Sequence, residues 1–476
     1  MTHEHHHREI SQATEPGVDM QHKPQMTMWQ ILLMNVGFFG IQYSFGMQQN
    51  AMSPIYQFLG ASPDELPILN LAGPVTGLLI QPIIGALSDR TWSDKWGRRK
   101  PFFLIGAIGC SVFLFLMPFA GAVWIAAMLL WLLDASNNTA MEPYRAFIAD
   151  RLPNNQLSKG FLTQSLFTGA GSMVAAGSLA GLSVVLVGKT VSGIPYWVFG
   201  AFMIGAVCSI GSVLISVLST KELPPSPEER AELEQRKKDE PTLGFLKDVA
   251  VAITQMPRGL KKLSLVYLFQ WYAMNVFWQY LGLVCAVTLW GVNLKDPGYA
   301  ATDAFEKASA FGTSLMLVYY AACTVAALFL ASLANKIGPR TVHTVCLTLA
   351  AICLYLLTHI GTPENKWVMF LPMIGIGIAW ASIMGVPYIM ITRMVRHERQ
   401  GVYMGVVNMM IVIPMLIQTL TFGFVYKHFL GDSPTNALVF AGALLFIAGL
   451  VIQWIDTKKD ADPLVLERLA EGDVNG

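Results

Sequence analysis

The sequence predicts an all-α membrane protein with twelve transmembrane helices arranged as two six-helix repeats. Hydrophobic residues make up 54% of the 476 residues and charged residues only 13%, about half the charged share of a soluble domain. Twelve apolar runs are each long enough to cross a bilayer as a helix. The longest polar stretch between them separates six runs from the other six.

The apolar runs follow one another with mostly short polar connections, as in a bundle of membrane helices. They are predicted at 27–49, 66–88, 102–119, 122–149, 160–187, 195–218, 261–290, 306–334, 342–360, 367–392, 401–427 and 435–455. Most Lys and Arg lie in the tails and in the loops after even-numbered runs. The positive-inside rule therefore predicts that both termini are cytoplasmic. The expected location is the cell (inner) membrane.

The runs and their connections define five segments. They are a polar tail at 1–26, a six-helix bundle at 27–219, a linker at 220–260, a second bundle at 261–456 and a tail at 457–476. The linker begins Pro-Pro-Ser-Pro-Glu-Glu and then continues with charged residues, which favours a short charged helix through Lys238. The His-rich start of the first tail is interpreted as a polar, disordered segment, and loose metal binding is the alternative.

Two sequence echoes indicate that the second half repeats the first. Pro143-Tyr144 in the fourth run recurs as Pro387-Tyr388 in the tenth. The polar loop after the second run also has a shortened counterpart after the eighth, at 333–340. Internal repeats of this kind are typical of secondary transporters.

The fourth run carries an unusual stripe of polar groups in an apolar helix. Asp134 and Arg145 lie eleven residues apart, about three helical turns, and therefore fall on nearly the same face. Asn138 shares that face, whereas Asn137 flanks it. Ionisable groups in a membrane span are costly and usually face a cavity or a partner. The stripe predicts the wall of a polar pathway in a carrier whose proton-binding group is Asp134.

Burial near mid-membrane disfavours the charged form of a carboxyl group, so Asp134 can exist in a neutral form. The alternative is a structural carboxylate capped by Asn137 or Asn138. Glu142 and Arg145 are spaced i, i+3 and belong to the candidate proton machinery. They can also simply pair with each other.

A loop of glycines and charges follows the second run. Its candidate latch residues are Gly85, Asp89, Arg90, Gly97, Arg98 and Arg99. Acid and base at helix ends can pair in one conformation and separate in another, and the glycines imply a tight turn. We interpret this loop as a conformational latch; the alternative is plain topology-setting charge.

These motifs resemble those of the major facilitator superfamily, and in particular the sucrose–proton symporters and their bacterial disaccharide-transporting relatives. The resemblance rests on the segments 81–102, 40–46, 131–146 and 401–414, which span most of the transmembrane chain. It implies the major facilitator fold. It also implies that Asp134 stands at the position of the family's proton-exchanging carboxylate and Arg145 at that of its essential arginine.

A sugar substrate requires amides or carboxylates for its hydroxyls and aromatic faces for its C–H surfaces. The candidates are Gln42, Gln49, Asn70, Gln81, Asn137, Asn138, Trp271, Asn275, Trp278, Gln279, Trp380, Tyr388 and Asn408. Hydrogen bonding between helices is the alternative role for the amides, and packing or an interfacial belt is the alternative for the aromatic rings.

The expected function is import of a disaccharide or glucoside, with sucrose and maltose both open, by proton symport and alternating access. A sodium-coupled glycoside symporter and a drug or small-molecule exporter are the alternatives. The sequence carries no metallohydrolase, nucleophile-elbow or phosphate-loop motif, so we expect no enzyme, no cofactor and no metal. The expected partners are a sugar, a proton (or sodium) and the bilayer, and the protein is expected to be a monomer. The sequence has no basic stripe outside the loops, so we do not expect binding to nucleic acid.

Overall fold

Twelve helices of at least 17 residues make up most of the computed structural model, which describes residues 23–224, 230–231, 254, 256–395, 400–456 and 459–461. In the first half they are α1 Met28–Phe58, α2 Ala72–Arg90, α3 Lys100–Leu116, α4 Val123–Arg151, α5 Asn154–Val185 and α6 Tyr196–Ser219. In the second they are α7 Arg258–Trp290, α8 Asp303–Ile337, α9 Pro339–Leu357, α10 Phe370–Met394, α11 Gln400–Phe429 and α12 Pro434–Val451. The tail through residue 22, the predicted linker helix apart from residues 230–231, and the last 15 residues lie outside the described part.

Helix α1 extends beyond the predicted boundary at residue 49 and ends at Phe58. The polar stretch Gln48-Gln49-Asn50 is enclosed by protein rather than exposed at the membrane surface. Asn50 is only 7% exposed, and its amide donates to the Gly46 carbonyl oxygen at 2.6 Å. Pro54 is accommodated within the same helix. The polar residues that predicted a helix end therefore face the protein interior.

The neighbour pattern of the first half recurs in the second. In the first half α1 packs against α5 and α6, and α3 packs against α4 and α6. In the second, α7 packs against α11 and α12, and α9 packs against α10 and α12. Each helix of one half thus has a counterpart six helices later, as expected for two parallel repeats.

Small residues allow close approach between helices within a half. A Cβ on Gly171 of α5 would lie 2.6 Å from the Phe39 carbonyl oxygen of α1, which is closer than any side chain tolerates. Because membrane helices associate through close packing rather than through a hydrophobic driving force, such positions require glycine. The α1–α5 contact therefore depends on Gly171.

Ten of the helices are long and apolar enough to cross a membrane by length and composition. Helices α1 and α4 are the two outside that set, because the amides of α1 and the charged residues of α4 lower their mean hydropathy. Both lie within the first bundle, packed against more apolar helices.

The two halves meet mainly along α5 with α8 and α2 with α11. We name the end of the bundle at which α2, α4 and α6 terminate the basic face, and the other end the opposite face. Among the described residues, both ion pairs that join the halves lie at the opposite face: Lys189–Glu306 at 3.2 Å and Lys427–Asp64 at 3.7 Å. The described ion pairs between the halves are therefore confined to the opposite face.

Candidate proton and substrate site

Asp134 lies in the interior of α4, about 16 Å from the start of the helix at a rise of 1.5 Å per residue. Its side chain is 2% exposed. The Oδ2 atom accepts hydrogen bonds from the Thr76 hydroxyl of α2 and from the Asn138 amide at 2.8 Å. Such donors stabilise a carboxylate that has lost contact with water. A buried, hydrogen-bonded carboxylate therefore lies where α2 and α4 meet.

A chain of amides leads from Asp134 to the second half. Gln81 Nε2 of α2 donates to Asn138 Oδ1 at 2.6 Å. Asn408 Nδ2 of α11 donates to Gln81 Oε1 at 3.4 Å. Three of the predicted substrate residues are thus brought together, in direct connection with Asp134.

Asn137 occupies a different environment from its neighbour Asn138. Its amide donates to the Ser44 hydroxyl of α1 at 2.8 Å, and its oxygen accepts from the Cys110 thiol of α3 at 2.9 Å. The side chain is fully buried. The structure therefore places Asn137 inside the first bundle, away from Asp134, where it joins α4 to α1 and α3.

Arg145 pairs with Glu142 on its own helix rather than with Asp134. The Arg145 Nη1 to Glu142 Oε1 distance is 3.0 Å, and the two side chains are 46% and 33% exposed. Arg145 also lies close enough to Tyr388 of α10 to act electrostatically on its hydroxyl. The guanidinium is therefore accessible on the side of Asp134 toward the basic face, near the second half.

An amide group of the second half joins α7 to α11. Asn275 Nδ2 donates to Gln418 Oε1 at 2.6 Å, and Gln418 Nε2 donates to Gln279 Oε1 at 3.2 Å. Gln418 is fully buried. Two predicted substrate residues are thus in contact through a third amide that the sequence reasoning did not include.

The predicted tryptophans form an aromatic cluster beside these amides. Trp380 of α10 contacts Trp271 and Trp278 edge-on, with ring centroids 5.4 and 5.0 Å apart. Tyr319 of α8 lies 6.4 Å from the same ring. Within the described residues the buried indole nitrogen of Trp271 has no hydrogen-bond partner. The cluster therefore offers both apolar ring surface and an indole N–H without a partner.

Three other candidates from the first half have separate roles. Gln49 of α1 accepts a hydrogen bond from the Tyr320 hydroxyl of α8 at 2.8 Å, which joins the halves. Asn70 donates to the Leu66 carbonyl oxygen at 2.8 Å, within its own helical turn. Gln42 is 8% exposed and lies beside Gly171. The structure does not bring these residues to Asp134.

A small cavity of about 30 Å³ lies between α1, α7 and α8. Its lining includes Gln49, Asn50, Trp278, Gln279 and Ser309. That volume holds a water molecule but not a sugar. The sugar-sized space that a carrier requires is therefore not enclosed at this position in the present conformation.

The candidate latch residues form a charge cluster within the first half. Arg99 is 5% exposed and lies 2.6 Å from Asp89 and 2.7 Å from Asp150. Gly97 has a φ of +79°, a left-handed conformation that favours glycine. Glu222 accepts backbone hydrogen bonds from Arg98, Arg99 and Lys100 at 2.7–2.9 Å. In this conformation the cluster ties together the ends of α2, α3 and α4.

Other latch positions are less constrained here. A Cβ on Gly85 would meet open space, and the side chain of Arg90 lies outside the described residues. Arg98 donates to the Asp89 carbonyl oxygen at 2.6 Å. Pairing of this loop with the second half stays a prediction, as do the segment boundaries, the orientation of the termini and the monomeric state.

Sequence reasoning missed several polar residues that the structure places near the candidates. Thr76 escaped because a threonine in a helix commonly bonds its own backbone. The Ala72 carbonyl oxygen lies 2.9 Å from the Thr76 hydroxyl and is the alternative acceptor for its single proton. Gln418 carried the same signal as its partners, an amide in an apolar helix. Among the described residues no group of three or more His, Cys, Asp or Glu is placed to hold a metal ion.

Comparison with known proteins adds an independent line of evidence. A family model described as the Major Facilitator Superfamily matches residues 34–419 and, separately, 300–469. The chain is 26% identical over 484 residues to sucrose transport protein SUT5 of Oryza sativa subsp. indica, covering 87% of this chain and 85% of the relative. It is 27% identical over 457 residues to sucrose transport protein SUC4 of Arabidopsis thaliana, covering 87% of each.

Solved structures show the same architecture at low sequence identity. The nucleoside transporter NupG superimposes with a TM-score of 0.65 at 14% identity, covering 90% of this chain and all of that chain. A D-xylose–proton symporter superimposes with a TM-score of 0.64 at 13% identity, covering 90% and 98%. At these identities the likeness establishes the fold alone.

Proposed function

The chain belongs to the Major Facilitator Superfamily, and from that premise we propose that it is a proton-coupled sugar symporter with Asp134 as its proton site. Membership confirms the predicted fold class and makes the chain a multi-pass membrane transporter rather than an enzyme. The proposed substrate is a disaccharide or glucoside of the sucrose or maltose class. The names of the plant relatives support a sugar substrate.

The observation that carries the proposal is the buried carboxylate of Asp134, one hydrogen-bonded chain away from the second half. Burying a charged carboxylate in a membrane span is costly, and its donors offset only part of that cost. A proton removes the charge. Each proton that Asp134 binds or releases therefore changes the stability of the interface between the two halves.

Alternating access gives that change a direction. The ion pairs at the opposite face join the two halves there, and we assign proton release to the basic face, the predicted cytoplasmic side. In the proposed cycle, Asp134 takes a proton while the site is open to the opposite face. The carrier then reorients when both proton and sugar are bound, or when neither is bound.

Arg145 has a role separate from direct pairing with Asp134. The two residues are about 16 Å apart along α4, and Arg145 pairs with Glu142 instead. We assign Arg145 to the electrostatics of the space between α4 and α10, where it approaches Tyr388.

The second half supplies the proposed sugar contacts. The amides of Asn275, Gln279 and Gln418 provide donors and acceptors for hydroxyl groups. Trp271, Trp278 and Trp380 provide the faces on which C–H surfaces of a sugar ring pack. Ion coupling then belongs to the first half and most substrate recognition to the second.

Uptake into proteoliposomes tests the proposal. The full chain is reconstituted, and accumulation of labelled sucrose and maltose is measured with an imposed pH gradient, with and without a protonophore. We expect accumulation of at least one sugar that the protonophore abolishes. Asp134→Asn should abolish accumulation and retain sugar-for-sugar exchange. Asp296→Asn, in an exposed loop, is the matched control and should behave as wild type.

Three results would overturn the proposal. Wild-type accumulation by Asp134→Asn would remove Asp134 from proton coupling. Accumulation driven by a sodium gradient without a pH gradient would assign the sodium-coupled alternative. Absence of uptake of either sugar, together with outward transport of a drug-like substrate, would assign the exporter alternative.

A further inference from the structure

The amide chain between Asp134 and α11 has a direction, because each amide donates toward Asp134. We propose that Asn138, Gln81 and Asn408 report the protonation state of Asp134 to the second half by reversing their hydrogen-bond polarity together. This inference rests on the proposed function, because it takes Asp134 as the proton site. It adds Gln81 and Asn408 as positioning residues for coupling rather than as sugar ligands alone.

The polarity follows from what each group can donate and accept. An ionised carboxylate only accepts, and Asn138 directs its NH₂ group to Asp134 Oδ2 at 2.8 Å. The same nitrogen also lies 3.0 Å from the Asp134 carbonyl oxygen and 3.0 Å from the Thr76 hydroxyl. The Asn138 oxygen then faces Gln81, so Gln81 must direct its NH₂ group to Asn138, as it does at 2.6 Å. The Gln81 oxygen then faces α11.

The last link crosses between the halves and obeys the same rule. Because Gln81 presents its oxygen, Asn408 must present its NH₂ group, and Nδ2 lies 3.4 Å from Gln81 Oε1. This link is the longest in the chain. Helices α2 and α11 approach closely here, since a Cβ on Gly77 would lie 3.6 Å from Val412. All three amides therefore donate toward the carboxylate, which is the arrangement that hydrogen-bond cooperativity favours.

Protonation of Asp134 makes the reversed arrangement available. A carboxylic acid donates through its O–H, so it can donate to the Asn138 oxygen if that amide rotates by half a turn. The rotation breaks the hydrogen bond from Asn138 Nδ2 to the Asp134 carbonyl oxygen, and the new bond from the acid O–H offsets that loss. Asn138 would then donate to a rotated Gln81, and Gln81 would donate to a rotated Asn408. The side chain of Asn408 thereby exposes a different group to the space between the halves in each state.

Few other titratable groups surround the carboxylate. Helix α1 faces it with the Gln48 amide and α2 with the Thr76 hydroxyl. Helix α3 presents the Cys110 thiol, which interacts electrostatically with Asp134 and donates to Asn137. On α4 itself, the paired Glu142 and Arg145 lie two to three turns away. Asp134 is therefore the group in this region whose charge changes most when a proton binds.

The chain is shielded enough to transmit such a change. Asp134 and Asn138 are each 2% exposed and Gln81 is 8% exposed, so water does not replace the missing partners. A single amide that rotated alone would place two donors or two acceptors face to face. Buried mismatches of that kind are unfavourable, so the buried amides of Asn138 and Gln81 behave as one two-state element. The half-buried Asn408 extends that element to α11.

Infrared difference spectroscopy tests the inference without any sugar. The spectrum of the purified full chain is recorded between pH 5 and pH 8. The wild type should show a carboxyl band that Asp134→Asn removes, together with amide bands from Asn and Gln side chains. Gln81→Leu should keep the carboxyl band and leave only the amide bands of Asn138. Asn408→Leu should keep the carboxyl band and remove only the amide bands of Asn408.

Asn35→Leu is the matched control, because Asn35 is a buried amide of α1 bonded to its own helix at 2.9 Å. Its spectrum should match that of the wild type. A carboxyl band without any loss of amide bands in Gln81→Leu would overturn the inference and leave the proposed function intact. A spectrum without an Asp134-dependent carboxyl band would overturn both.

Sugar binding gives a second, independent measurement. The Kd for the accumulated sugar, sucrose or maltose, is measured at pH 5 and pH 8. The wild type should bind more tightly at pH 5, and Gln81→Leu should bring the ratio of the two Kd values to about one while exchange persists. An unchanged ratio in Gln81→Leu and Asn408→Leu would show that sugar and proton communicate by another route.

Discussion

Arg145 lies 3.0 Å from Glu142 on α4, although the helical phase of Asp134 and Arg145 predicts that both belong to one polar face. The pair is more than one-third exposed at Arg145 and one-third exposed at Glu142, so water screens it. Such i, i+3 pairs contribute about 0.2–0.5 kcal/mol. The pair therefore contributes little to the stability of α4, and its main effect is to position the Arg145 guanidinium.

Glu142→Gln and Arg145→Gln should consequently differ in transport while having equally small effects on stability. We expect Glu142→Gln to keep uptake within about twofold of wild type, since the lost pair is worth only about 0.2–0.5 kcal/mol. Arg145→Gln should lose most uptake, because no other cation approaches Tyr388 among the described residues of α4. Initial uptake rates and thermal unfolding in detergent provide the measurements. Equal loss in the two variants would assign the function to the pair rather than to Arg145.

Glu306 of α8 holds the opposite face closed through two partners in the first half. Its oxygens lie 3.2 Å from Lys189 Nζ and 3.2 Å from the Trp197 indole nitrogen. Glu306→Gln removes the ion pair and should shift the population toward conformations open at this face. For an ion pair worth about 1 kcal/mol the shift is about fivefold. Distances between spin labels at the exposed positions Val191 and Lys295, one in each half, should lengthen in the variant, with Asp303→Asn as control.

Glu222 caps the first turn of α3, where its carboxylate accepts hydrogen bonds from Arg98, Arg99 and Lys100. Glu222→Ala leaves these donors without that partner and removes a negative charge from the helix N-terminus. We expect a loss of about 1–2 kcal/mol, seen as a lower melting temperature of the purified protein. Lys221→Ala changes the adjacent side chain and should leave the melting temperature unchanged. Equal melting temperatures in the two variants would contradict the capping role.

Trp380 stands at the centre of the aromatic cluster, in contact with Trp271 and Trp278. If the cluster forms the sugar surface, Trp380→Phe should raise the Kd for the accumulated sugar about two- to twelvefold, since one aromatic pair contributes about 0.5–1.5 kcal/mol. Proton-dependent infrared bands from Asp134 should remain. Trp124→Phe changes an exposed ring and should leave the Kd unaltered. A Kd equal to that of the wild type in Trp380→Phe would show that the Trp380 ring packs against its neighbours and does not bind sugar.

Local sequence signals were sufficient for the elements and for the main acidic residue. Twelve apolar runs predicted the helices because each membrane span must satisfy its own backbone hydrogen bonds. Asp134 stood out because a carboxylate in such a run is rare. The boundary of α1 was wrong, because polar residues predict a helix end only when they face water, and Gln48-Gln49-Asn50 face protein.

The partners of each polar group required the tertiary structure. Asn137 and Asn138 are adjacent and chemically identical, yet one bonds α1 and α3 while the other bonds Asp134 and Gln81. Thr76, Gln418 and Glu222 gained roles from helices far away in sequence. Helical phase fixes the direction of a side chain relative to its own axis, but it does not specify which neighbouring helix meets that side.

The sequence alone determined that this chain folds as membrane helices in two related halves and that Asp134 is the exceptional buried acid. Periodicity, composition and charge position carry that information, because the bilayer acts on each span separately. Only the tertiary structure decided that Asn408 meets Gln81 and that Arg145 turns to Glu142. These contacts depend on how the helices pack against one another, and packing between distant segments is not encoded in the local pattern of any one of them.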